Sequence, residues 1–381
     1  MNISLRSQVL GRVFSLEKHV VLEDSKLEII PFPFTQTGGA QEIEAFQGEL
    51  LTASFCPVTD NRIQENKTFT YPIFTPDKNK RHDQAIILLH GLNERSWEKY
   101  LPWAEYLATS TGKPVILFPI AFHMNRTPGF WTNPREIQPW VHQRKENSKD
   151  STNSTFVNLA LSSRLSGHPL RFYASGRESV YNICQLVQEM KQGQHPLFAE
   201  DVSVNLFAYS IGALLSQVLL LANPGKLFTH SRLFMFCGGS IFNHMNGNAR
   251  DILDKEAYDS ILQYFTTDFL ARKNVPETFP ADTLEKAFKA MICPEEMPAF
   301  RENFFQRACD RVRTISLRQD VVMPTQGIIK ALGKASGKIL KELDFPFPYS
   351  HQKPFPVQSR TEPALINNAF RSVFHPAAEF L

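Results

Sequence analysis

From about residue 85 onward, short apolar runs alternate with stretches whose apolar positions recur every three or four residues. Ala85-Ile86-Ile87-Leu88-Leu89 is apolar without a break, as a strand buried on both faces of a parallel sheet requires. Residues 97–110 follow with Trp97, Leu101, Ala104, Leu107 and Ala108 at helical spacing, and residues 114–118 form the next strand, stopped by Pro119. Residues 176–192 read as a helix with Val180, Ile183, Cys184 and Val187 on one face. Further strands are expected at 202–208, 232–237, 311–317 and 338–343, and further helices at 211–222, 328–332 and 362–373. Repeated β-α-β units of this kind predict an α/β fold, a doubly wound and mostly parallel sheet of about eight strands with helices on both faces.

Two long insertions interrupt the rhythm. Residues 120–175 are polar and aromatic and look irregular, and their centre, residues 143–155, is polar enough to be a mobile loop. Residues 243–310 are amphipathic and helical, with Phe265, Phe269, Phe288, Phe300, Phe304 and Phe305 suited to an apolar underside. The domain organisation expected is an N-terminal region (1–84) forming an antiparallel edge, a core (85–242 and 311–381) and a helical cap (243–310). Within the first region, residues 50–55 and 68–74 look like strands.

Composition narrows the function classes. Of 381 residues, 43% are hydrophobic and 21% charged, which excludes a disordered, collagen-like or coiled-coil chain. The 41 basic and 38 acidic residues leave a net charge of only +3, with no long Lys/Arg run, so a nucleic-acid footprint is not expected. Five cysteines without CxxC spacing fit neither a disulfide framework nor a zinc ribbon and read as free thiols in a reducing compartment. No window of 18 uncharged apolar residues occurs, and Arg6 and Arg12 break up the start of the chain. A cytoplasmic protein without a membrane span is the expectation.

The most informative segment is Val204-Asn205-Leu206-Phe207-Ala208-Tyr209-Ser210-Ile211-Gly212-Ala213, where a strand runs through Ala-x-Ser-x-Gly directly into a helix. Small-x-Ser-x-Gly is common by chance, and in isolation Ser210 would read as a helix N-cap. The context favours a nucleophile elbow. That turn holds serine in a strained conformation and needs small residues two positions away on each side, here Ala208 and Gly212. The strand at 85–89 ends in His90-Gly91-Leu92-Asn93-Glu94. An acyl-transfer site needs two backbone N–H groups aimed at a developing oxyanion. Ile211, after the serine, and Leu92, after the permissive Gly91, are the candidates, with His90 tying down the loop.

Residues 85–375 resemble an α/β-hydrolase, and within that superfamily a bacterial branch of uncharacterised substrates. The resemblance implies a triad in the order serine, acid, histidine. Arg318-Gln319-Asp320-Val321-Val322-Met323-Pro324, following the strand at 311–317, resembles the acid loop and makes Asp320 the acid. Asp344-Phe345-Pro346-Phe347-Pro348-Tyr349-Ser350-His351, following the strand at 338–343, makes His351 the base, with Asp344 as a rival acid. Two features depart from the family pattern. Ala208 stands where the first elbow glycine is usual, and the His90-Gly91 loop lacks the glycine run of many esterases.

The expected function is therefore a serine hydrolase acting on an ester, thioester or similar small acyl substrate, with neither metal nor organic cofactor. Acyl transfer to an alcohol with the same triad is one alternative, and a catalytically silent binding protein of this fold is another. Tyr209, Phe122, His123, Trp131, His244 and Met245 are expected to line the substrate pocket, since each lies at or just beyond a strand end on the same edge of the sheet. His-Met-Asn recurs at 123–125 and 244–246, for which coincidence is the plainer reading. Cys237-Gly238-Gly239-Ser240 has no phosphate-loop pattern around it and is read as close backbone packing.

Overall fold

The computed structural model describes residues 2–37, 41–53, 56–357 and 360–381, the side chains of 51–53 and 56–57 excepted. Its strands are β1 (Val20–Leu22), β2 (Leu27–Thr35), β3 (Leu51–Ala53), β4 (Cys56–Thr59), β5 (Thr68–Thr75), β6 (His82–Leu89), β7 (Val115–Leu117), β8 (Phe198–Tyr209), β9 (Leu233–Phe236), β10 (Val312–Leu317) and β11 (Leu340–Leu343). Nine of them form one sheet in the order β1-β2-β5-β7-β6-β8-β9-β10-β11, and β3 pairs with β4 apart from it. From β7 to β11 every pairing is parallel, while β1, β2 and β5 run antiparallel at one edge. This is the expected doubly wound α/β-hydrolase sheet, with one strand more than expected.

The unbroken apolar run of β6 has a direct cause. Ile87 and Leu89 pack into the cluster shared with helices Leu170–Lys191 and Ile211–Ala222. Ile86 and Leu88 pack into the cluster on the opposite face, with helices Leu101–Thr111 and Pro363–Phe380. Successive side chains alternate faces, and both faces are covered.

Element ends shift where local chemistry overrides the apolar pattern. Residues 338–339 belong to a helical turn, so β11 begins at Leu340, and the helix expected to begin at 328 begins at Thr325, after Pro324. Of the strand expected at 50–55, residues 54–55 lie outside the described residues. The first insertion corrects its expectation most. It contains helices Pro134–Asn147 and Leu159–Gly167, and the next helix begins at Leu170. Its polar centre is tied down rather than left as a free loop. Arg144 donates to both carboxylate oxygens of buried Asp254 at 2.5 and 3.0 Å, and Ser154 Oγ donates to the same group at 2.6 Å. Asp254 also caps helix Lys255–Thr266 through the Ala257 N–H. Polar composition reads as disorder only while the partners are unknown, and here they sit on the second insertion, about a hundred residues later.

Two glycines test the packing around the elbow. A Cβ on Gly212 would lie 2.7 Å from the His90 carbonyl oxygen, whereas one on Gly176, inside helix Leu170–Lys191, meets nothing within 4 Å. Gly212→Ala is expected to lower stability by about 1–3 kcal/mol through overpacking. Gly176→Ala should raise it by about 0.5–1 kcal/mol through helix propensity. Thermal and urea unfolding of the two variants check the sign difference.

Candidate active site

β8 delivers Ser210 into a turn with φ 56° and ψ −123°, and helix Ile211–Ala222 begins at the next residue. A non-glycine residue holds this conformation only where the surroundings force it. Here they do. Gly212 lies against the Leu89 and His90 carbonyls, and a Cβ on Gly238 would lie 2.6 Å from Ala213 Cβ and 2.9 Å from the Ser210 carbonyl oxygen. Cys237-Gly238-Gly239 is thus close backbone packing behind the turn, as expected. Ala208 is fully buried, pairing with Leu89 on one side and Met235 on the other.

The loops after β10 and β11 bring Asp320 and His351 to the serine. Ser210 Oγ lies 2.7 Å from His351 Nε2, and His351 Nδ1 lies 2.7 Å from Asp320 Oδ2. With the proton on Nδ1 donated to Asp320, Nε2 presents a lone pair to the serine hydroxyl. Asp320 Oδ1 accepts the N–H groups of Val322 and Met323, each at 2.9 Å. Burial pushes the Asp320 carboxyl up, but His351 and these two amides outweigh it and hold the group below its ordinary 3.8. Cys237 lies beside Asp320, and burial together with that negative charge pushes its thiol well up, leaving it a neutral neighbour. Asp344 is engaged elsewhere. It accepts from Tyr349 Oη at 2.8 Å and Gln319 Nε2 at 3.1 Å, while Tyr349 Oη accepts the Gln319 N–H at 3.1 Å. Asp344 and Tyr349 therefore bind the acid loop to the histidine loop.

The backbone amides of Leu92 and Ile211 have no acceptor among the described residues. The Leu92 loop is set by a chain that the sequence pattern did not reveal. Gly91 N–H donates to Tyr100 Oη at 2.9 Å, and that hydroxyl donates to Glu94 Oε1 at 2.9 Å, which also pairs with Lys99. Gly91 stands where a Cβ would lie 3.3 Å from Ser210 Cβ. His90 has the tying role expected of it: Nε2 accepts the Ile120 N–H at 2.9 Å and Nδ1 donates to the Gly91 carbonyl at 2.8 Å. Burial, with His123 nearby, pushes its pKa well down, so it stays neutral.

Ser210 lies where an apolar interior meets an open mouth. A cavity of about 40 Å³ is lined by Ser210, Met245, Phe242, Ile261 and Met323. A second, of about 80 Å³, runs between Phe122, His123, Leu214 and Phe288, and both share Leu92, Phe172 and Ile211. The mouth, about 240 Å³, is lined by Ser210, His351, Tyr209, Glu94 and Asp251 among others. Of the pocket residues expected from sequence, Met245, Phe122 and His123 face the interior cavities and Tyr209 borders the mouth. Tyr209 is buried under His351, stacked on its ring at 5.3 Å and bonded through its hydroxyl to the His351 carbonyl. Trp131 belongs to a separate cluster with Phe122 and Ile137, and half-buried His244 backs onto Gly327. His123 is fixed by a 2.9 Å bond from Nδ1 to the Ala121 carbonyl, with left-handed backbone on both sides at Phe122 (φ 59°) and Met124 (φ 52°). Burial pulls its pKa down to about 4.

Asn93 is a further residue that sequence reasoning missed. Its Nδ2 donates to the Val157 carbonyl of the first insertion at 3.1 Å and to the Asp251 carbonyl of the second at 3.0 Å. The asparagine after the Leu92 amide thus holds both insertions at the mouth. Its φ of 60°, a conformation asparagine tolerates better than most residues, is the one signal that a sequence could have carried. Among the described residues no group of three or more His, Cys, Asp or Glu is arranged to hold a metal ion, and no helix is long and apolar enough to cross a membrane.

Solved structures similar in fold include a thermostable esterase from Pseudomonas putida, at 10% identity over 100% of this chain and 89% of that one (TM-score 0.43). Esterase LipW from Mycobacterium marinum matches at 10% identity over 99% and 87% (TM-score 0.46), and a hyperthermophilic esterase from Pyrobaculum calidifontis at 9% over 99% and 90% (TM-score 0.41). A search of curated proteins finds no match. One family model spans residues 4–381, nearly the whole chain. The chain belongs to that family, DUF6051, a family of unknown function.

Proposed function

We propose that the protein is a serine hydrolase that cleaves an ester, thioester or similar acyl bond. The observation that carries this reading is the hydrogen-bonded chain Ser210–His351–Asp320 at a strained strand-to-helix turn, flanked by two amides without acceptors among the described residues. His351 takes the Ser210 proton as the oxygen attacks the acyl carbon, and Asp320 holds the imidazole and stabilises its cation. The Leu92 and Ile211 amides stabilise the oxyanion. His351 returns the proton to the leaving group, and water then releases the acyl-enzyme. The hydrogen bonds that join serine, histidine and aspartate support activity over a silent binding role. Helices of residues 243–310 act as a cap, and the free thiols Cys184 and Cys237, both buried, suit a reducing compartment.

Ser210→Ala is expected to abolish labelling by a fluorophosphonate probe and all esterase activity. Stability should be unchanged or raised, because alanine leaves the elbow without a reactive side chain to hold. Full labelling of the variant would place the nucleophile elsewhere.

Asp320→Asn is expected to cost on the order of 10⁴ in turnover, because the amide favours the wrong imidazole tautomer. Asp344→Asn should cost far less, and a larger loss from it would exchange the two assignments. The lowered pKa of Asp320 also has a stability consequence. A carboxylate whose folded pKa lies below its unfolded value stabilises the fold above that unfolded value, and the contribution disappears as pH falls through the folded one. Acid unfolding of Asp320→Asn should therefore show a shallower decline below about pH 4 than the parent.

The interior cavities take the acyl chain in this reading. Each buried methylene is worth about 0.8 kcal/mol, so kcat/KM on p-nitrophenyl esters should rise from acetate to a medium chain and then fall. Phe172 stands on the wall common to both cavities. Phe172→Ala should shift the optimum to longer chains, whereas rates that fall steadily from acetate onward would rule out an acyl pocket.

A further inference from the structure

The spaces around Ser210 divide by the catalytic group each one touches. The mouth is lined by Ser210 together with His351. His351 lines neither interior cavity; the smaller touches Ser210 itself, and both touch Leu92 and Ile211. In acyl transfer His351 returns a proton to the alcohol oxygen as the bond between that oxygen and the acyl carbon breaks. The alcohol therefore lies on the His351 side and leaves by the mouth, which assigns both interior cavities to the acyl group. These cavities part at the reacting end rather than follow one another. Leu92, Phe172 and Ile211 are their common wall, and among the described residues no other borders both. Ile211 adjoins Ser210 in the chain, and Leu92 follows Gly91, where an added Cβ would lie 3.3 Å from Ser210 Cβ. From that wall the smaller cavity runs between Met245 and Ile261 of the second insertion and Met323 of the acid loop. The larger runs between Phe122 of the first insertion, Leu214 and Val218 of the helix after the serine, and Phe288. A chain that enters one is led away from the other.

We propose that the acyl group is branched at the carbon next to its carbonyl, with one alkyl arm in each cavity; the inference rests on the serine-hydrolase reading above and names its substrate class. An unbranched chain occupies one cavity and leaves the other empty, forfeiting the burial and dispersion contacts that a second arm would make there. A branch placed further along the chain lies beyond the common wall, where only one cavity is open to it. Met245, Ile261, Leu214, Val218 and the phenylalanines suit alkyl arms, and a polar branch would lose its water without gaining a partner. The cavities differ in size, about 80 against 40 Å³, so the longer arm takes the larger one. With the carbonyl oxygen held by the two amides and the alcohol directed to the mouth, only one mirror image of the branched carbon places its arms that way.

The test compares p-nitrophenyl hexanoate with the two enantiomers of p-nitrophenyl 2-ethylhexanoate, which carry the same main chain and an added ethyl arm. Each kcat/KM is divided by the ester's own rate of hydrolysis by hydroxide, which removes the intrinsic slowing that a branch causes. The favoured enantiomer should then exceed hexanoate roughly tenfold, the equivalent of two further buried methylenes, and its mirror image should fall below it. Hexanoate matching or outpacing both enantiomers overturns the proposal without any variant. Val218→Phe places a ring in the larger cavity and Ile261→Phe one in the smaller. Each should cancel the advantage of the branched ester, with melting temperatures reporting whether each variant folds, and an advantage that survives in both folded variants overturns the proposal. A second measurement needs no catalysis: calorimetric titration of Ser210→Ala with the methyl esters of the same acids. Tighter binding of one branched enantiomer than of methyl hexanoate supports the two-armed site even if no p-nitrophenyl ester is cleaved, in which case the hydrolase reading alone fails. Branched esters that neither bind more tightly nor react faster overturn the two-armed site, while turnover of p-nitrophenyl hexanoate leaves the hydrolase standing.

Discussion

The geometry of this site depends on how closely the backbone is packed around Ser210. A serine at φ 56° is costly, and it persists because Gly212, Gly238 and Ala208 leave room for neighbouring strands to press against the turn. That crowding fixes the direction of Oγ and leaves the Ile211 amide at the start of a helix without an intrahelical acceptor. Replace any of these small residues by a larger one and either the serine relaxes or the sheet separates.

A second layer holds the groups that meet the serine. Tyr209 supports His351 from below, through ring stacking and a bond to its carbonyl. The Glu94–Tyr100–Gly91 chain sets the Leu92 amide, and His90 fastens the same loop to Ile120. The acid and histidine loops are fastened to each other by Asp344 and Tyr349. Each of these contacts lies outside the chain Ser210–His351–Asp320, and each restricts the freedom of the groups that meet Ser210.

Buried charge joins the rest of the structure to this centre. Arg126 reaches Glu178, Asn66 and Asn182, while Arg164 and Arg171 share Asp60. Burial outweighs the neighbouring carboxylates and pulls these guanidinium groups down, Arg126 and Arg164 to about 10, which still leaves them charged at neutral pH. Such pairs are weak evidence of stability but bind remote segments in one register, here the first insertion to the N-terminal region and helix Leu170–Lys191. Removing one partner would leave an uncompensated buried charge.

Periodicity alone was enough to reveal the core strands, because a strand segment covered on both faces must be apolar, as residues 85–89 of β6 are. The turn at Ser210 was legible for a related reason: strained turns admit few residue types, and Ala208, Ser210 and Gly212 announce themselves within five positions. Asp320 and His351 could be found because the resemblance to α/β-hydrolases implies the order serine, acid, histidine, and each follows a recognisable strand. The partners of polar side chains were not legible. Arg144 and Ser154 look like solvent-facing residues until Asp254 is placed beside them, and nothing near Asn93 in sequence names Val157 and Asp251 as its acceptors. Nor could the expected pocket be sorted, since Met245 and Trp131 are equally apolar but only the first came to lie beside Ser210. Local chemistry is written in neighbouring residues, whereas hydrogen bonds and cavities belong to groups brought together from distant parts of the chain, and only the folded structure decides those.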